Sequence, residues 1–258
     1  MRASGQIVTL LCCAALLLPF AACAQGGPQL YNSSFDTWSR SGVAWRLYPS
    51  DAPEELRVWD TANTALSKLG VTSVTPEYKH VAVPGSGKVA ARIESRKIAW
   101  AFVGGSIYNG KYIRTVSLSG VETRLGAPFA GRPASLSGYY HYLPKAIDHA
   151  KAPYENKLGE PDEALVEVLL TDWEEPYVQV SNRDGFINPA TNPHVIGYAQ
   201  LIIKNATDGY VRFTAPFTYR SSATPRHIVF TITSSRFGGT QTGAVGSVLY
   251  VDEFAFNY

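Results

Sequence analysis

The feature that most constrains the fold is a repeated alternation of apolar and polar residues with a period of two. In Val211–Tyr219 every odd-numbered residue is apolar or aromatic, whereas the residues between them are arginine, threonine or proline. Arg226–Thr233 repeats the pattern, with Ile228, Phe230 and Ile232 on one side. Because alternate side chains of a strand point to opposite faces, both segments are predicted to be β-strands with one buried face.

About a dozen such short segments, separated by glycine, proline, asparagine and serine, predict an all-β chain. The architecture they favour is an antiparallel β-sandwich of the jelly-roll type. The further strand-like segments are Trp45–Tyr48, Tyr78–Val83, Lys88–Glu94, Ala99–Val103, Tyr112–Leu118, Ala134–Tyr142, Ala164–Thr171 and Val195–Lys204. The best helix candidate is Asn63–Leu69, which Gly70 would end. With no internal repeat or linker, we predict one domain over residues 28–258.

The last strand contains a change of phase. Leu249 and Val251 share one face, but Phe254 and Phe256 are displaced from it by one residue. A β-bulge at Asp252–Glu253 would bring all four to the core and redirect both acidic side chains. A simple bend of the strand at the edge of the sandwich explains the pattern equally well.

Composition excludes two classes of protein. The 258 residues include 23 Lys and Arg against 21 Asp and Glu, and 12% are aromatic while only 17% are charged. Such a chain can bury enough apolar surface to fold, which excludes intrinsic disorder. No segment concentrates the basic residues that binding to phosphate groups requires, so a nucleic-acid-binding function is also excluded.

The N-terminal segment is predicted to be a signal peptide, residues 1–22. Arg2 precedes the apolar run Ile7–Phe20, which is shorter than the roughly 20 apolar residues that span a bilayer. All three cysteines lie in this region, at Cys12, Cys13 and Cys23. The rest of the chain therefore has no disulfide and no thiolate ligand or nucleophile.

Two processing sites compete after the apolar run. The motif Phe20-Ala21-Ala22-Cys23 resembles a bacterial lipobox, in which Cys23 becomes the lipidated first residue. Alternatively, Ala22-Cys23-Ala24 is an A-x-A site cleaved before Gln25. Both predict export. If the lipobox is used, residues 23–27 form a short tether, and the protein is an outer-membrane lipoprotein that faces the periplasm or the cell surface.

Five segments, in order along nearly the whole remaining chain, resemble blocks of a known family. They are Asn32–Trp38, Trp59–Asn63, Gly104–Gly110, Gly126–Tyr142 and Thr233–Phe254. The chain is thereby identified as a member of the "putative carbohydrate metabolism domain" family of exported Bacteroidetes-type proteins. The resemblance implies a jelly roll similar to carbohydrate-binding modules, in proteins near glycan-use machinery. Some members carry a glycoside hydrolase label. Where relatives read Ser-Ser-x-x-Gly-Asp, this chain has Gly239 in place of the final Asp.

The resemblance to carbohydrate-binding jelly rolls implies a structural Ca²⁺ site. In those proteins an acidic residue after the N-terminal Phe and an Asp near the final strand commonly hold the ion, and here these are Asp36 and Asp252. A hard cation takes about six to eight oxygen ligands, which terminal strands and loop carbonyls can supply. The alternative is that both are surface or turn-capping carboxylates.

Aromatic side chains beside polar ones are the candidate carbohydrate-binding residues, because the C–H face of a sugar ring stacks on an indole. The candidates are Trp59 with Asp60 and Asn63, the isolated Trp100, and Trp173 before a Glu-Glu-Pro turn. Aromatic residues of a sandwich are usually core, and for Trp59 and Trp173 the two interpretations stay open.

A further pair of candidates comes from the segment Tyr139–Tyr142. On a strand, Tyr140 and Tyr142 share one face, while Tyr139 and His141 share the other and are candidates for ligand binding on an exposed sheet.

The sequence selects no catalytic group. A glycosidase needs two carboxyl groups roughly 5–9.5 Å apart, and Glu167 with Asp172 qualifies only if the fold brings them together. There is no Gly-x-Ser-x-Gly motif and no pair of histidines with the spacing of zinc ligands. We therefore expect an exported, non-catalytic protein that binds a poly- or oligosaccharide. The alternatives are a glycoside hydrolase and a structural subunit of a surface glycan-handling or adhesion complex.

Overall fold

The computed structural model describes residues 26–84, 86–117, 120–181 and 183–258. The predicted signal peptide and Cys23 lie outside the described residues. The described residues form eighteen β-strands, one α-helix and four short 3₁₀ helices. The strands are β1 (Ser39–Ser41), β2 (Ala44–Arg46), β3 (Trp59–Thr61), β4 (Val74–Glu77), β5 (Ala90–Glu94), β6 (Arg96–Ile98), β7 (Ala101–Val103), β8 (Ser106–Ser117), β9 (Gly120–Leu125), β10 (Ala127–Pro128), β11 (Ser135–Leu143), β12 (Ala164–Thr171), β13 (Tyr177–Val180), β14 (Val195–Ile203), β15 (Val211–Pro216), β16 (Thr218–Tyr219), β17 (His227–Thr233) and β18 (Val248–Asn257). The helices are α1 (Asn63–Leu66) and the 3₁₀ segments Glu54–Leu56, Ser67–Leu69, Glu155–Lys157 and Gly238–Thr240.

Two antiparallel sheets form the sandwich. The larger has nine strands in the order β13-β9-β8-β17-β12-β14-β16, with β3 beside β8 and β10 beside β17. The smaller has five strands in the order β15-β11-β18-β5-β4. Two separate hairpins, β1–β2 and β6–β7, lie outside these sheets. The predicted antiparallel sandwich of jelly-roll type is confirmed.

The main core lies between the two sheets and is centred on aromatic rings. Phe230 of the larger sheet stacks on Phe254 of the smaller, with ring centroids 5.9 Å apart, and Trp59 lies 5.3 Å from Phe230. The residues that alternation placed inside β17, Ile228, Phe230 and Ile232, all belong to this core. Burial of each large apolar side chain contributes roughly 1.5–3 kcal/mol, so these rings hold the sheets together.

The phase change in the last strand is a β-bulge. The register of β11 against β18 shifts between Ser137, opposite Ala255, and Tyr139, opposite Asp252. Glu253 has the left-handed φ of 53° that accommodates the extra residue. The four apolar residues that were out of phase in the sequence, Leu249, Val251, Phe254 and Phe256, are all in the core. The bulge prediction is confirmed.

Two further local predictions have different outcomes. Asn63–Leu69 is helical, as α1 followed by a 3₁₀ turn, and it ends at Gly70 with a φ of 73°. The strand predicted over Tyr78–Val83 is wrong, because pairing with β5 stops at Glu77. The Glu77 carboxylate accepts hydrogen bonds from the backbone amides of Lys79 (2.7 Å) and His80 (3.3 Å) and so turns the chain away.

The larger sheet also carries packed side chains on its outer face, which points away from the main core. A second apolar cluster lies there, made of Tyr108, Leu125, Leu169, Trp173, Val195 and Val229. The outer face of the larger sheet is therefore where loops and hairpins can enclose a site.

Within the described part of the chain, no helix has the length and apolar character to cross a membrane.

Candidate ligand-binding site

A cavity of about 450 Å³ opens on the outer face of the larger sheet. Its floor consists of side chains from β8, β9, β12, β13 and β17. Four segments form its walls, namely α1 with the 3₁₀ turn after it, the β6–β7 hairpin, the turn around Gly238–Thr240, and the segment Phe186–Ile187. The volume is in the range of pockets that bind small ligands.

A row of polar side chains crosses the floor at right angles to the strands. Glu167 on β12 lies opposite Thr231 on β17, Thr231 lies opposite Tyr108 on β8, and Tyr108 lies opposite Asp60 on β3. Val166 and Val168, the neighbours of Glu167, point into the main core, so the row points outward. With adjacent strands about 4.8 Å apart, Glu167 and Asp60 are separated by about 14 Å at their backbones.

Glu167 lines the cavity and has one carboxylate oxygen without a hydrogen-bond donor among the described residues. Gln200 Nε2 donates to Glu167 Oε2 at 2.7 Å, and no described group donates to the other oxygen. Burial raises the pKa of the Glu167 carboxyl, while the hydrogen bond from Gln200 and the charge of Arg236 lower it by less. A carboxyl of this kind can accept hydrogen bonds from a ligand and, when protonated, donate one.

Asp60, at the far end of the row, lies outside the cavity lining, and both of its carboxylate oxygens accept hydrogen bonds from the protein itself. Its Oδ1 accepts from the Thr61 amide (2.7 Å) and the Thr64 hydroxyl (2.5 Å), and its Oδ2 accepts from the Tyr112 amide (2.8 Å). These bonds fix α1 against β8. Burial and the charge of Asp60 raise the pKa of Tyr108 well above its ordinary value, so the Tyr108 hydroxyl stays protonated and can donate.

Trp100 is the predicted binding residue that lines this cavity. It lies in the turn of the β6–β7 hairpin and its side chain is 69% exposed. The preceding Ala99 has a φ of 51°, in the left-handed region that residues with a Cβ rarely occupy. The hairpin thus holds an accessible indole at the rim of the cavity whose floor carries the polar row.

At the bulge of β18, three carboxylates lie close together. Asp36 Oδ1 accepts from the amides of Lys88 (2.7 Å) and Val89 (3.2 Å), and Asp252 Oδ2 accepts from the Ala82 amide (2.8 Å). Asp252 Oδ1 and Glu253 Oε1 are buried without a hydrogen-bond partner among the described residues. Burial, followed by the charges of Glu253 and Asp36, raises the pKa of Asp252 to about 6.

The sequence of the sandwich as a whole identifies the family to which the chain belongs. The profile described as "Putative carbohydrate metabolism domain" matches residues 34–256, nearly all of the described chain. The chain belongs to this family. It is therefore a carbohydrate-related domain.

Two solved structures share the fold of this family member. One, from Bacteroides thetaiotaomicron VPI-5482, is described as a "putative glycoside hydrolase"; it is 18% identical, with a TM-score of 0.65 over 90% of this chain and 72% of the other. The second, from Bacteroides vulgatus ATCC 8482 and described in the same words, is 14% identical, with a TM-score of 0.60 over 77% of this chain and 85% of the other. Among curated proteins, no match was found.

The family block Trp59–Asn63 is structural, and the prediction of Trp59 and Asn63 as binding residues is wrong. Trp59 is only 2% exposed, and its Nε1 donates to the Tyr31 carbonyl at 2.7 Å. Asn63 is fully buried, accepts from the Ser73 amide and donates to the Val74 carbonyl, so it fastens β4 to α1. Asp60 lies outside the cavity lining, and its oxygens accept hydrogen bonds from backbone and hydroxyl donors of the protein.

Trp173 is also packed rather than available for stacking. It is 9% exposed, its ring stacks on Tyr177 with centroids 5.0 Å apart, and its carbonyl accepts from His227 Nδ1 at 2.9 Å. It completes the apolar cluster beside the cavity. The prediction of a sugar-binding platform at Trp173 is therefore wrong, because an indole that is buried and stacked on Tyr177 offers no face to a ligand.

Tyr139 and His141 lie on the outer face of the smaller sheet, away from the cavity. The His141 ring stacks on Tyr250 with centroids 5.5 Å apart, and its Nδ1 lies 2.8 Å from the Thr207 hydroxyl. Tyr139 lies opposite Asp252. The structure does not bring these two residues together with Trp100, and their role in ligand binding stays a prediction.

The fold does not assemble Glu167 and Asp172 into a pair. Glu167 lines the cavity, whereas Asp172 lies outside it and contacts His194 Nδ1 at 2.9 Å. Among the described residues that line the cavity, Glu167 is the only carboxylate.

Thr231 and Tyr108 line the cavity but were not identified as candidate binding residues from the sequence. Their alignment with Glu167 across β12, β17 and β8 becomes visible only when the order of the strands is known.

Glu253 is a third carboxylate that the sequence analysis did not assign to the calcium site. If Gly87 had a Cβ, this atom would lie 2.6 Å from Glu253 Oε1 and 3.1 Å from Asp36 Oδ1, so both carboxylates converge on this glycine. Among the described residues, no three His, Cys, Asp or Glu side chains have the arrangement of a metal site. The two unpartnered buried oxygens nevertheless fit a cation, and calcium binding stays a prediction.

Proposed function

We propose that this protein is an exported carbohydrate-binding protein that recognises a poly- or oligosaccharide in the cavity of its larger sheet. The observation that carries the proposal is that the polar row Glu167–Thr231–Tyr108 and the exposed indole of Trp100 line one cavity. Membership of a carbohydrate-related family supports the same class of ligand.

The chemistry of the cavity suits a sugar ring. A pyranose has C–H groups on its faces, which pack on an aromatic ring, and hydroxyls at its edge, which need hydrogen-bond partners. Trp100 can supply the ring contact. Glu167 can accept from hydroxyls, Tyr108 can donate, and Thr231 can do both.

Affinity electrophoresis and calorimetry with a panel of plant, algal and host polysaccharides test the proposal. We expect at least one glycan to bind, and we expect both Trp100→Ala and Glu167→Gln to weaken binding by about tenfold or more. Tyr78→Ala is the matched control, because Tyr78 is a 62% exposed aromatic residue outside the cavity. Absence of binding to the whole panel, or equal binding by all variants, would contradict the proposal.

A glycoside hydrolase is the second candidate, and one observation favours it. The pKa of Glu167 is raised by burial, as the pKa of a general acid must be. The hydrolase needs a second carboxylate, and Glu167 has none beside it among the described lining residues. Release of reducing sugar from a bound glycan, lost in Glu167→Gln, would replace binding by hydrolysis as the function.

The proposal includes attachment to the outer membrane through a lipid on Cys23. Only the lipobox-like motif supports it. Labelling of growing cells with radioactive palmitate should mark the wild-type protein and not Cys23→Ala. Unlabelled wild-type protein with an N-terminus at Gln25 would show that A-x-A cleavage occurs instead.

A further inference from the structure

The walls of the cavity are far more apolar than the binding of an unmodified sugar requires. They include Ala65, Leu66, Leu69, Ile98, Phe102 and Phe186. Three large apolar side chains remain exposed at its rim, namely Leu69 (58%), Trp100 (69%) and Phe186 (48%). Exposed apolar residues grouped around one opening mark a surface that a ligand covers.

Most of the other polar side chains of the cavity are already bonded to the protein. The Thr233 hydroxyl donates to the Gly105 carbonyl (2.9 Å), Gln241 Nε2 donates to the Phe102 carbonyl (2.7 Å), and Arg236 pairs with Glu163 (2.8 Å). Gln179 Nε2 donates to the Gly185 carbonyl. Lys68 is exposed, with its Nζ over the Tyr112 ring, 5.2 Å from the ring centroid. On the floor of the cavity, free hydrogen-bonding capacity is therefore found chiefly in the row Glu167–Thr231–Tyr108.

From this distribution, and resting on the proposed function, we infer that the natural ligand is a sugar that carries an apolar substituent, an acyl, alkyl or aryl group. The sugar lies on the polar row of the floor, and the substituent packs against the walls formed by α1, the β6–β7 hairpin and Phe186. A ring with hydroxyls on every side would leave several of them unpaired against these walls. An apolar chain gains about fourfold in affinity for each methylene group that it buries there.

Gly239 is part of the same arrangement. It lines the cavity, and a Cβ at this position would lie 3.3 Å from the Phe186 ring. The absence of a side chain lets the Phe186 ring approach the turn at Gly238–Thr240. The rim here is consequently apolar.

Calorimetry with pairs of glycosides tests the inference. Each pair shares one sugar, from a panel of hexoses, deoxyhexoses and N-acetylhexosamines, and differs only in an octyl or a methyl aglycone, with octyl glycosides kept below the concentration at which they form micelles. We expect at least one octyl glycoside to bind about tenfold or more tightly than its methyl partner. Leu69→Ser and Phe186→Ser should bring this ratio toward one, whereas Glu167→Gln should weaken both members equally.

Controls separate this inference from the proposed function. Leu158→Ser removes a 61% exposed leucine outside the cavity and should leave the ratio unchanged. Thermal unfolding of each variant verifies that it is folded. A ratio near one for every pair, with polysaccharides still bound, overturns the inference and leaves the proposed function intact. If 1-octanol binds as tightly as the octyl glycosides, the sugar contributes nothing and both fail.

Discussion

Asp252 shows how much one side chain can reveal about a site. Its Oδ1 is buried and has no hydrogen-bond partner among the described residues, and burial together with two neighbouring carboxylates raises its pKa from 3.8 to about 6. The folded protein therefore binds more protons than the unfolded chain between these two pH values. Without a cation, this group makes the protein less stable as the pH rises from about 4 to 6, and the loss persists above 6.

Asp252→Asn should therefore stabilise the metal-free protein at pH 7, by roughly 1–3 kcal/mol, because it removes a poorly solvated charge. It should also flatten the dependence of the melting temperature on pH between 4 and 6. Thermal unfolding in EDTA over this range measures both effects. Asp208→Asn, at an exposed carboxylate, is the control that should change neither.

Calcium should reverse the order of stability. Millimolar Ca²⁺ is expected to raise the melting temperature of the wild-type protein and to do so much less for Asp252→Asn, because a ligand that binds only the folded state stabilises it. If wild-type protein melts at the same temperature in Ca²⁺ and in EDTA, the Asp36–Asp252 site does not bind calcium.

The tryptophans explain why the candidate site could be predicted only in part. Trp59 is followed by polar residues and Trp100 lies within the apolar run Ile98–Val103, so local sequence alone does not show that Trp59 is buried and Trp100 exposed. Their difference depends on packing: Trp59 fills the space between the sheets, whereas Trp100 lies in a hairpin turn that projects over one of them. Asp60 and Asn63, polar neighbours that suggested a sugar site, hold backbone groups instead.

At the scale of elements, the β6–β7 hairpin holds Trp100 in a constrained conformation. Ala99 occupies a left-handed φ of 51°, which costs a residue with a Cβ roughly 1 kcal/mol relative to glycine. We expect Ala99→Gly to leave stability unchanged or raise it by up to about 1 kcal/mol in urea unfolding. Ala101→Gly, in strand β7 and buried, should destabilise the protein. Equal destabilisation by both would contradict this account of the turn.

Elements were predicted well where alternation was long and poorly where it was short. The bulge in β18 was visible because four large apolar residues had to reach one core, and only one extra residue restores their phase. Tyr78–Val83 alternates over only a few residues, and the bonds from Glu77 to two following amides override that pattern. Strand order, which creates the row Glu167–Thr231–Tyr108, depends on pairing between distant segments, and no local pattern contains it.

At the scale of the whole molecule, the two outer faces of the sandwich offer a ligand different surroundings. The larger sheet offers an enclosed cavity with free polar groups and an exposed indole. The smaller sheet offers Tyr139 and His141 on an open surface, where His141 is already stacked on Tyr250 and lies within hydrogen-bond distance of Thr207. Enclosure favours the larger sheet, because a ligand in a cavity loses more contact with water than one on a flat face.

We therefore expect Trp100→Ala to lower glycan affinity about tenfold or more, while Tyr139→Ala changes it less than about twofold. Calorimetry with the same glycan measures both variants, and Tyr250→Ala extends the comparison to the ring that covers His141. The reverse result, loss on changing Tyr139 and none on changing Trp100, would move the site to the smaller sheet. Loss with both would mean that a chain long enough to contact the two faces is the ligand, because the sandwich core separates them.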